Sequence, residues 1–157
     1  MENIEQKVNF LKNEFTQKLK GIAPSSLPLF GKMNPQQMVE HMAEYIRLGY
    51  GNPRIAAASY SEEVLAKMNA FLKTEKPLRP NTANPLMEET PPPARLESYE
   101  SAVQDVQKAI DELFEAFHQN PSLEVANPFF GVLNFDLTVQ LLYKHGKHHL
   151  AQFGIVE

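Results

Sequence analysis

The sequence predicts an all-α fold: a four-helix bundle with one long crossover and a short extra helix. Three observations lead there. Apolar residues recur at steps of 3 and 4 along separate stretches, the spacing of a helix face. No stretch alternates apolar and polar residues strongly enough to build a sheet. Residues 74–96 hold half of the 12 prolines, among them Pro91, Pro92 and Pro93. That is a long irregular connection, of the kind that serves as a crossover, a lid or a partner contact.

The first helix carries Ile4, Val8, Leu11, Phe15, Leu19 and Ile22 on one face. Gly and Pro in "GIAPSSLPLFGKM" break it. The second starts at "NPQQ", with Asn34 as cap, Pro35 in the first turn and Gln37 where a capping box needs it. Met38, Met42, Tyr45, Ile46 and Leu48 follow at helical spacing, and "GYGNP" ends the run. A shorter helix takes Ser61 as cap and Val64, Leu65, Met68, Phe71 and Leu72 as its stripe. The next has Tyr99, Val103, Val106, Ile110, Leu113 and Phe117, the seam of a packed bundle. After "LEVANPFFGVL", Asn134 caps the last helix, which runs to about Phe153 with Gly154 as its stop.

Bulk composition excludes several functions. At 157 residues the chain is the size of one domain, 1–157. A net charge of -4 and no basic stripe speak against a nucleic-acid partner. With no cysteine there is no disulfide, thiolate ligand or cysteine nucleophile. The opening "MENIEQKVNFLK" is charged where a signal peptide is apolar. No run approaches the roughly 18 apolar residues of a membrane span. The expectation is a cytoplasmic protein that does not enter a membrane.

Chemistry concentrates in "LLYKHGKHHLAQFG". On a wheel of 100° per residue, Phe135, Val139, Leu142, Gly146 and Phe153 form the apolar stripe. His149 falls near its centre and His145 at its edge. His148 lies on the flank, and Gln140, Lys144 and Lys147 lie on the opposite side. Imidazoles at i and i+4 stack on one face and reach a single cation. The metalloprotease version of this spacing carries a Glu that is missing here, where Gly146 stands instead. His41, among Met38, Met42 and Tyr45, is the natural third ligand.

Each histidine also has a plain reading. His41 alone suits a hydrogen-bonded core residue, and His145 with His149 a polar helix contact. His118 suits the C-terminal end of its helix, and His148 suits solvent or a supporting place beside the site. Three buried imidazoles without an organising centre would, however, be costly.

The order of these features resembles the DinB/YfiT-like superfamily of four-helix bundles. The likeness rests on His41 in "PQQMVEHMAEYI", the long crossover, and His145, His149 and Gln152 in "HGKHHLAQFG". The ending, a double His followed by Leu, one residue and "QFG", looks most like a branch known only as a domain of unknown function. The resemblance implies an up-down-down-up bundle in which three histidines hold a divalent metal, zinc or nickel, and a homodimer. It also implies metal-dependent chemistry, since relatives include thiol-cofactor S-transferases, isomerases and proteins labelled metal-dependent hydrolases. Many members carry a tryptophan early in the last helix, where this chain has Phe135.

Three neutral nitrogens leave a coordination position open, the mark of a catalytic site. Hydrolysis and thiol transfer on a small-molecule substrate are both permitted by that ligand set. Each ligating ring needs its other nitrogen oriented. Gln152, Tyr45 and Glu44 are close enough in sequence to do so, and Glu40, Glu44 and Asp136 are the carboxylates available as a base. A bundle that binds metal or ligand without turnover, and a structural domain that pairs through the Pro-rich connection, are the alternatives.

Overall fold

The computed structural model describes residues 1–56, 60–79 and 90–156. The described residues are mostly helical, with one two-stranded hairpin. Among them no helix is long and apolar enough to cross a membrane.

The first segment departs from a plain α-helix. It comprises α1 (Ile4–Asn9), a π-helical turn (Phe10–Glu14) and α2 (Phe15–Lys20). The Phe15 amide reaches back to the Phe10 carbonyl, the wide i→i−5 bond of a π turn. The extra residue in that turn lets Phe10, Leu11 and Phe15 all face inward, at 3%, 1% and 0% exposure. A strict 3.6-residue pitch would have left Phe10 off the stripe.

Caps set the other helix starts. For α3 (Pro35–Leu48), Asn34 Oδ1 accepts from the Gln37 amide at 2.8 Å, and Gln37 Oε1 accepts from the Asn34 amide at 2.9 Å. That is the reciprocal capping box written in "NPQQ". Ser61 caps α4 (Glu62–Lys73), Ser98 caps α5 (Tyr99–Gln119) and Asn134 caps α6 (Phe135–Gln152). The α5 seam from Val103 to Phe117 is buried, and α5 packs chiefly along α3.

The sequence shows no strand, yet β1 (Val125–Asn127) pairs antiparallel with β2 (Gly131–Leu133). Three residues per strand are too few for an alternation to register. The hairpin is made by its turn. Asn127 Oδ1 accepts from the amides of Phe129 and Phe130, at 2.8 and 3.1 Å, and Gly131 takes a positive φ of 83°.

Helix α6 touches α1, α2, α3, α4 and β2. Eleven of its 18 residues are buried, Gln140 and Lys144 among them. The side opposite the apolar stripe is therefore covered as well. The C-terminal end of α4 lies over it, and its last carbonyls are what the two side chains serve. Gln140 Nε2 donates to the carbonyls of Leu72 and Thr74, both at 3.0 Å. Lys144 Nζ donates to Phe71 and Thr74, both at 3.1 Å. Lys7 Nζ joins the group through Gln140 Oε1 at 2.7 Å and Glu75 at 2.8 Å.

Candidate metal centre

Two helices bring three imidazoles together. Helix α6 presents His145 and His149 one turn apart, and α3 brings His41 against them. His145 Nε2 lies 2.9 Å from His149 Nε2 and 3.2 Å from His41 Nε2. One ring nitrogen from each of the three lies within 4.8 Å of the others. Two ligands at 2.0–2.1 Å from a common ion stand about 2.9 Å apart at a right angle and about 3.3 Å apart at a tetrahedral angle. The observed separations fit that range.

The tautomer of His149 follows from its neighbours. Gln152 Nε2 donates to the Phe30 carbonyl at 3.0 Å, so Gln152 Oε1 is the atom facing His149 Nδ1, at 2.8 Å. An oxygen only accepts, so Nδ1 carries the proton and Nε2 offers its lone pair to the cluster. In the absence of an ion, His145 Nε2–H donates to that lone pair. His145 Nδ1 then remains bare and buried, and it has no hydrogen-bond partner among the described residues. With an ion, Nδ1 takes the proton and all three Nε2 atoms present lone pairs. The donor set fits a divalent cation.

Burial keeps the rings neutral. His145 and His149 are 9% and 6% exposed. Desolvation, then repulsion from His148, lowers His41 to about 4. Desolvation, then repulsion from His41, lowers His149 to about 3 against the opposing bond from Gln152. His145 is held well below the ordinary histidine range, first by burial and then by His149, His41 and His148. Near neutral pH all three carry free lone pairs, as a ligand must.

The supporting residues divide. Gln152 contacts His149 directly. Tyr45 lies edge-on to His145 with ring centroids 4.2 Å apart, and its hydroxyl accepts from Asn127 Nδ2 at 3.4 Å. His148 packs on Phe30 and His149 at about 5 Å between centroids and bonds to the backbone of Leu78. Glu44 is exposed and pairs with Arg95 Nη2 at 2.8 Å, so it orients Arg95 and not an imidazole. Glu40 is buried, and its carboxylate accepts from the amides of Arg95 and Leu96. Asp136 is exposed in the first turn of α6, nine residues and about 13 Å of helix rise from His145. His118 ends α5, outside the cluster.

Three contributors escape a sequence reading. The Phe30 carbonyl fixes the Gln152 amide, Asn127 holds the Tyr45 hydroxyl, and Arg95 takes both α3 carboxylates. Only Gly31 beside Phe30 hints at the first. Its φ is 75°, and a Cβ there would stand 2.8 Å from Gln152 Nε2. Gly146 admits a neighbouring helix: its Cβ would meet Phe15 Cε1 at 3.2 Å. No family model, no curated protein and no solved structure matches the chain.

Proposed function

We propose that this chain is a metal-dependent enzyme in which His41, His145 and His149 hold a divalent cation, zinc or nickel, acting on a small-molecule substrate. The observation that carries the reading is the convergence of three Nε2 atoms at 2.9 and 3.2 Å, in a buried setting that keeps the rings neutral. When bound, such an ion supplies Lewis acidity suited to hydrolysis or thiol S-transfer. Gln152 holds the His149 tautomer, and Tyr45 walls His145.

The DinB/YfiT-like four-helix bundle belongs to this proposal. In it α1 with α2, α3, α5 and α6 are the principal helices and α4 is the extra one. The mostly helical fold and the histidine spacing support that assignment, and the homodimer rests on the resemblance alone.

Elemental analysis of untagged protein beside His145→Ala/His149→Ala tests the site. About one metal per chain, lost in the variant, is the expected result; no metal after zinc and nickel are offered removes the enzyme reading. One observation favours a second reading, a bundle that binds metal without turnover. Both carboxylates flanking His41 are taken up by Arg95, which leaves no carboxylate base in the described cluster. Full metal occupancy with no turnover in hydrolysis and thiol-transfer screens would select it.

A further inference from the structure

Beside the histidine cluster lies a small cavity of about 10 Å³ between the hairpin, α3 and α6. Tyr45, Asn127 and Thr138 line it, among apolar neighbours that include Val125, Leu133 and Leu141. Thr138 is 2% exposed, and its Oγ1 has no hydrogen-bond partner among the described residues. The Tyr45 hydroxyl accepts a long bond, 3.4 Å, from Asn127 Nδ2. Among the described residues nothing accepts the proton of that hydroxyl. Asn127 cannot turn to help, because its Oδ1 is held by the amides of Phe129 and Phe130.

Two hydroxyls with unmet bonding thus border one cavity whose size is that of a single probe sphere. A buried hydroxyl without a partner is expensive, and an internal water with two or more polar partners removes the cost.

We propose that one internal water molecule is a fixed part of this fold, bridging Thr138 Oγ1 and the Tyr45 hydroxyl. It joins α6 to α3 at the point where the hairpin covers them, and it fixes the Tyr45 ring that stands against His145.

The test is oxygen-17 relaxation dispersion, which counts long-lived internal waters, on wild type, Thr138→Val and Thr138→Ser. Valine keeps the shape and removes the hydroxyl; serine keeps the hydroxyl. The amplitude should fall by one water in the valine variant and hold in the serine variant. The valine variant should also melt lower by about 2–4 °C, the shift expected for one lost polar contact in a chain of this size. An unchanged amplitude in Thr138→Val overturns the proposal. So does a midpoint at or above wild type, because removing a dry, unpaired hydroxyl is neutral or stabilising.

Discussion

Gln152 Oε1 stands 2.8 Å from His149 Nδ1 while the same amide donates to the Phe30 carbonyl at 3.0 Å. One side chain therefore ties the loop before α3 to the His149 ring and decides which of its nitrogens keeps the proton. Replacing it with an apolar residue of similar length, Gln152→Met, frees the ring to turn. Metal affinity should fall by about 10–100-fold, the usual effect of losing such an orienting bond. Competition titration against a chelator measures it, and unchanged affinity would refute the orienting role.

Gly146 lies between the two α6 histidines and against Phe15. Alanine there gains about 1 kcal/mol of helix propensity. It also places a methyl 3.2 Å from the fully buried Phe15 ring, which must shift by a few tenths of an ångström. The packing cost should win, so Gly146→Ala lowers the denaturant midpoint. Adding Phe15→Leu should recover part of the loss. Additive losses in the double variant would show that the two positions do not compete for space.

The metal-free protein should lose stability in acid. His41 and His149 sit at about 4 and 3 when folded, against 6.5 when unfolded. Between those values the unfolded chain binds more protons, so stability rises with pH there. Their contribution is complete above about 6.5 and drains away as pH falls toward 4. Urea unfolding of chelator-treated protein at pH 7 and pH 5 should show the drop, reduced in His149→Gln. An equal drop in wild type and variant would exclude His149 as its source.

Lys144 is 5% exposed and donates to the last carbonyls of α4. Lys144→Met keeps the packing and removes one donor from each carbonyl, while Thr74 still serves Phe71 and Gln140 still serves Thr74, so the loss should be about 0.5–1.5 kcal/mol. Hydrogen exchange should accelerate in α4 more than in α5. Uniform acceleration would mean that Lys144 acts on the whole fold and not on the α4 terminus.

Much of the helical pattern was legible because its signals are local. A cap at Asn34, Ser61 or Asn134 depends on four consecutive residues, and the α5 seam repeats at a fixed step. The inward pair His145 and His149 was legible for the same reason. The π turn was not, since a widened turn depends on how Phe10 and Phe15 meet the rest of the core. Burial of Gln140 and Lys144 was hidden because only the position of the α4 end makes a buried lysine tolerable. Glu44 and Glu40 looked available to the site until Arg95, some fifty residues on, took both. The hairpin was too short to show a period.

The burial of α6 on every side has a consequence for how the protein is made. His41 leaves the ribosome 104 residues before His145. At about 5–20 residues per second, α3 waits about 5–20 s for the two histidines that join His41. Lys7 waits longer still for Gln140, 133 residues away. During that interval the other helices have an open seam where α6 will lie, so the three imidazoles come together only once α6 has inserted. A nascent chain released early, without α6, would present the apolar faces of Phe15, Met38 and Met42 to the cell's chaperones, with the histidine cluster unformed.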